Sequence, residues 1–108
     1  MKFIKSADDF RQIYRKNTRI EGKFFALLVS LSLPKAESTI GVVASKKIGK
    51  AVVRNRVKRR VKSFLRENWQ IIPERCALVI ISLETAGAAS WQEITEDLAN
   101  LINRIDHR

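Results

Sequence analysis

Residue types suited to hydrolysis or group transfer are sparse in this 108-residue chain. Such reactions need a positioned acid, base or nucleophile. Asp8 and Asp9 sit where a helix is expected to begin, and Glu93, Glu96 and Asp97 fall in the first turns of another. Carboxylates there have the plainer use of favouring the positive end of a helix. The single cysteine, Cys76, reads as a small apolar residue leading into a strand, and the single histidine, His107, lies where chains usually fray. Together they cannot assemble a Cys/His metal site. Gly41, Gly49 and Gly87 form no phosphate-binding fingerprint, and no G-x-x-x-x-G-K-[ST] occurs. Neither a catalytic residue nor a metal ligand is expected on this chain.

The chemistry that the sequence does offer is electrostatic. "SKKIGKAVVRNRVKRRVKSFLRE", Ser45 to Glu67, holds ten of the 21 Lys and Arg residues and places its only acid last. The other 11 basic residues match the 11 acids, so the segment up to Arg66 carries the whole net charge of +10. A neutral body with one concentrated cationic element is the footprint of a polyanion partner. Exposed helices commonly alternate Glu with Lys to gain i,i+4 pairs, yet no acid lies between Glu37 and Glu67. The counter-charge is therefore expected from outside, with nucleic acid the first candidate and an anionic membrane surface the second. Against the membrane, the apolar face of a basic helix is needed here for the core. No apolar run approaches the ~18 residues of a span, and the first residues lack a signal-peptide core. Cytoplasmic residence follows as the default, and one cysteine fits a reducing compartment.

Those cations must be carried by a fold. A chain of this length suits one domain, 1–108. Ser6 and Asp9 resemble a capping box, and Phe10, Ile13 and Tyr14 follow at helical spacing, so a first helix is expected over Ser6–Lys16. A short strand fits Thr18–Glu21, and a longer one Phe24–Leu33, with Phe25, Leu27, Val29, Leu31 and Leu33 on one face and Phe24, Ala26, Leu28 and Ser30 on the other. Pro34–Glu37 supplies a turn before a buried strand at Thr39–Ala44. Lys50–Asn68 reads as the second helix. Val53, Val57, Val61, Phe64 and Leu65 share one side of it, while Asn55, Arg56, Lys58, Arg59, Lys62 and Arg66 take the other and Arg54 lies near the buried edge. Ala77–Ser82 is another apolar strand. Ser90 and Glu93 form a capping box ahead of Ile94, Leu98, Leu101, Ile102 and Ile105. The order predicts an α/β (α+β) two-layer sandwich on a mainly antiparallel or mixed sheet.

At "VVRNRVKRR" the segment resembles the signature of the bacterial ribonuclease P protein component. Arg54, Asn55 and Arg56 match the RNR motif of that family, "SKKIGKAV" matches the loop before it, and "DFRQIY", "IISLETA" and the last helix extend the likeness over nearly the whole chain. The resemblance implies an αβββαβα order with a left-handed βαβ crossover. It also implies a protein subunit that binds a catalytic RNA, which itself hydrolyses the phosphodiester at the 5′ end of mature tRNA using Mg²⁺ held mainly by RNA. The protein would contact both that RNA and the 5′ leader of precursor tRNA, and would be monomeric when free. Carried over by position, Lys46, Lys47, Arg54, Asn55, Arg56, Lys58 and Arg59 become RNA-binding candidates, and Lys50 and Lys62 join them on the same basic element. Phe10 and Tyr14 match aromatics of the leader cleft, and Leu28 stands at a sheet position where the family often has Tyr. Phe10 suits core packing equally, whereas Tyr14, with a polar end, suits a half-exposed cleft. A ribosomal protein and a DNA-reading protein share the small size and basic helix, although the latter would usually be more helical.

Overall fold

A run of seven residues without a charge, CALVIIS, forms the strand at the centre of the sheet. In the computed structural model, which describes residues 2–4, 18–31, 38–74 and 76–105, this strand spans Cys76–Ser82. Numbered along the chain, the strands are β1 (Lys2–Phe3), β2 (Thr18–Glu21), β3 (Phe25–Leu31), β4 (Thr39–Ala44) and β5 (Cys76–Ser82). Among the described residues the α-helices are α1 (Ala51–Glu67) and α2 (Trp91–Asn103). Across the sheet the order is β1-β4-β5-β3-β2. β1 runs parallel to β4 and β4 parallel to β5, whereas β3 is antiparallel to both β5 and β2, so the sheet is mixed. A strand with neighbours on both edges and apolar cover on both faces has no solvent side, which is why β5 does not alternate in polarity.

The alternation of β3 assigns the two faces. Phe25, Leu27 and Val29 point into the main core with Ile40, Leu78 and Ile80, and both helices close over that face. α1 contributes Val57, Val61, Phe64 and Leu65, and α2 contributes Ile94, Leu98, Leu101 and Ile102. Leu28, Ala77 and Val79 form a smaller cluster on the opposite face, joined by Ile4, Val43 and Ile81. Because neighbours in a sheet share a face at matched positions, Phe3, paired with the fully buried Ile40, lies on the helix side, and Ile4 turns to the other.

Most expected boundaries hold within a residue. β2 and β4 match the predicted spans, Lys50 and Asn68 cap α1 rather than belong to it, and Cys76 is the first residue of β5 rather than its lead-in. The Ser90–Glu93 capping box is complete, with Ser90 N donating to Glu93 Oε1 and Glu93 N to Ser90 Oγ. β1 was not expected. The predicted first helix, including Phe10 and Tyr14, and the turn Pro34–Glu37 lie outside the described residues.

One expectation about the acids is corrected. Asp97 does not serve chiefly to favour the start of its helix: it is 7% exposed, and its carboxylate accepts hydrogen bonds from the backbone of Lys23, Phe24 and Phe25 at 3.1, 2.9 and 3.1 Å. Thr85 Oγ1 donates to the Lys23 carbonyl at 2.8 Å, tying the same β2–β3 turn to the segment after β5. A buried carboxylate with three N–H donors is a structural staple, since those donors would otherwise be left without partners.

Candidate nucleic-acid interface

The basic element starts where β4 ends. Ser45 Oγ accepts from Lys47 N at 3.2 Å and opens a single 3₁₀ turn, Lys46–Ile48. Gly49 leaves that turn at φ 140° and ψ −152°, a backbone region essentially restricted to glycine. The glycine in "KKIGK" therefore serves as a swivel that aims α1 relative to Lys46 and Lys47. α1 begins with no side-chain cap and no acid in its first turn, although Lys46, Lys47 and Lys50 crowd the approach. Cations at the positive end of a helix are unfavourable and attract an outside anion.

Along α1 the candidate residues share an outer arc. Lys46, Lys47, Lys50, Asn55, Arg56, Arg59 and Arg66 are exposed, and Arg54, Lys58 and Lys62 are half-buried. Among the described residues the ion pair present is Arg19–Glu21 at 3.0 Å, on β2 at the far side of the sheet. Among the described residues no acid pairs with the arc.

Its two flanks are held differently. On one, Arg56 Nη2 donates to the Gly87 carbonyl at 3.2 Å, and Arg60 Nη1 to the Ala89 carbonyl at 3.3 Å. These carbonyls belong to the turn that follows β5, and Gly87 lies directly against the basic loop. A Cβ there would come within 3.0 Å of Ile48 Cγ2, 3.2 Å of the Ile48 carbonyl and 3.3 Å of Val53 Cγ1. On the other flank, Lys62 Nζ and Arg66 Cζ each stand 5.4 Å from the centre of the Phe3 ring. Between the flanks Asn55 and Arg59 face outward beside Val52, which is 76% exposed.

The remaining candidates divide clearly. Leu28 is 5% exposed within the smaller cluster, on the sheet face away from α1. Cys76 is buried, its thiol donating to the Pro73 carbonyl at 3.0 Å, and burial pushes its pKa above the ordinary value, which keeps it a neutral thiol. Reading by residue type missed Phe3, Arg60 and Gly87. A two-residue strand has no periodicity to detect, and a lone glycine among small residues carries no sign of what it touches. Arg60 was visible as a base but not as a donor to a carbonyl 29 residues away.

The order of loop, glycine swivel, RNR triplet and cationic helix can be compared with known proteins. A family model described as ribonuclease P matches residues 1–106. The chain belongs to the ribonuclease P protein family. It is 33% identical over 102 residues to the ribonuclease P protein component of Bacillus velezensis, covering 94% of this chain and 86% of that protein. The ribonuclease P protein component of Clostridium kluyveri is 33% identical over 103 residues, with 94% and 91% covered. Among solved structures, the RNase P protein of Thermotoga maritima superposes with a TM-score of 0.82 at 28% identity, covering 91% of this chain and 92% of the other. That of Staphylococcus aureus gives 0.85 at 24% identity, over 94% and 92%, a likeness of fold. Membership places the protein as a component of ribonuclease P, in tRNA processing, with RNA as its partner.

Proposed function

We propose that this protein binds the RNA subunit of ribonuclease P through the Lys46–Lys50 loop and the outer arc of α1, and that the complex presents precursor tRNA for cleavage at its 5′ end. The observation that carries this reading is the cationic arc of α1, unopposed by any acid among the described residues, in a chain of this family. Phosphates supply the charge that the arc lacks. Hydrolysis is assigned to the RNA. Mg²⁺ is assigned to RNA ligands on the family resemblance, and no step is routed through a metal on the protein. The described helices include none long and apolar enough to cross a membrane.

A leader-binding role for Phe10 and Tyr14 rests on the family resemblance; Leu28, which the resemblance also names, is 5% exposed and offers a base little surface. Bases of a single strand stack on aromatic platforms at about 1–3 kcal/mol each. Tyr14→Ala should therefore weaken binding of precursor tRNA about 5- to 150-fold and leave mature tRNA nearly unchanged.

The test of the whole reading is reconstitution with a transcribed bacterial ribonuclease P RNA and precursor tRNA at low Mg²⁺. The expected result is cleavage at the mature 5′ end that requires the RNA and is raised by the protein. Cleavage by nuclease-free protein alone, or no effect of the protein on the RNA, would refute it.

A further inference from the structure

Lys62 and Arg66 lie one turn apart on α1, at the flank that overhangs β1. Like charges at i and i+4 repel, and two long flexible side chains would ordinarily splay apart into water. Here both cationic groups gather at one aromatic ring, 5.4 Å from its centre. The negative face of an aromatic ring attracts cations, which offsets their mutual repulsion. The ring is itself well held. Phe3 pairs with Ile40, Ile4 N donates to the Ile40 carbonyl at 2.7 Å, and the half-buried Phe3 packs against the main core.

This arrangement explains a strand of only two residues. β1 adds little ladder to the sheet, but its parallel register with β4 turns Phe3 to the helix side, beneath the flank of α1, while Ile4 turns away. The opposite flank has its cations held by backbone carbonyls, a neutral partner that consumes hydrogen-bond donors. A ring consumes none. The donors of Lys62 and Arg66 remain available, and an ammonium beside a guanidinium fork offers a point charge and a bidentate site for adjoining phosphates.

We propose that Phe3 is a positioning residue for RNA binding, its ring pre-ordering Lys62 and Arg66 as a two-cation clamp on neighbouring phosphates of one RNA strand. The clamp extends the interface beyond the RNR triplet to the last turn of α1 and brings in Arg66. It rests on the functional reading above, because it needs the arc of α1 to face RNA.

The test measures affinity of the full-length protein for a transcribed bacterial ribonuclease P RNA across a salt series, together with thermal stability. Phe3→Leu keeps an apolar side chain on the core but removes the ring. It should weaken binding about 3- to 10-fold, the cost of ordering rotamer-rich side chains on association, while the slope of log K against log salt stays the same, because both cations still reach phosphate. Phe3→Trp should restore wild-type affinity. Lys62→Ala with Arg66→Ala should lower the slope by about two units and, in that background, Phe3→Leu should cost nothing further. An equal loss from Phe3→Leu in both backgrounds would overturn the proposal by showing that Phe3 acts through another contact or through the fold. Wild-type affinity in Phe3→Leu would overturn it as well. A wild-type protein that fails to bind this RNA would instead refute the functional reading itself.

Discussion

The two kinds of arginine on α1 can be separated by salt. Lys58 and Arg59 make no hydrogen bond or ion pair among the described residues, whereas Arg60 is half-buried and donates to the Ala89 carbonyl at 3.3 Å. Each phosphate neutralised contributes about 0.9 to the slope of log K against log salt on a duplex. Lys58→Ala with Arg59→Ala should then lower the slope by ~1.8. Over a fourfold rise in salt, from about 50 to about 200 mM, the fall in affinity would shrink roughly 12-fold relative to wild type. Thermal stability should fall by less than in Arg60→Ala, because no hydrogen bond among the described residues is lost and the relief of like charge offsets the trimmed Lys58 stem. Arg60→Ala should do the reverse. Losing one hydrogen bond and a packed stem is worth about 1 kcal/mol, or ~4–8 °C in midpoint, with the slope nearly unchanged. Filter binding or fluorescence anisotropy against ribonuclease P RNA, with calorimetry on the same preparations, reads both quantities. An unaltered slope in the Lys58/Arg59 variant would mean that this arc is solvated rather than bound, and the assignment of α1 as the interface would be lost.

Three further outcomes are expected. Asp97→Ala strands three backbone N–H groups and should destabilise the protein by about 3–4 kcal/mol in a denaturant titration, with RNA affinity per folded molecule retained. Gly87→Ala puts a methyl against the Ile48 carbonyl, which cannot yield without moving the basic loop, so a loss of about 1–3 kcal/mol should come with weaker RNA binding. Glu93 is held below its ordinary value of 4.5 chiefly by the hydrogen bond from the Ser90 backbone, then by that from its side chain. Because the depressed group is the folded one, its contribution is present above pH 4.5 and disappears as pH falls through the folded value. The gap in melting temperature between wild type and Glu93→Gln should therefore close in acid, and a gap that widened there would contradict the capping role.

Periodicity and turn chemistry are local, and what they decide is legible from the residues alone. The apolar spacing of Val57, Val61, Phe64 and Leu65 determines which side of α1 is buried, and with it the outward direction of Asn55, Arg56 and Arg59. The unbroken apolar run of β5, the Ser90–Glu93 box and the Thr39–Ala44 strand are readable for the same reason, since each depends on neighbours within a few positions. The absence of any acid between Glu37 and Glu67 likewise points to an external polyanion. Helical phase says which way a side chain leaves the backbone, however, and not what it meets. That Phe3 lies under Lys62 and Arg66, that the Gly87 carbonyl takes a donor from Arg56, and that Asp97 staples the turn at Lys23–Phe25 all depend on chain segments some 30 to 70 residues apart. The sheet order β1-β4-β5-β3-β2 creates those neighbours. Composition identified the cations, but only the tertiary structure decided which are held by carbonyls, which gather at a ring, and which have no partner among the described residues.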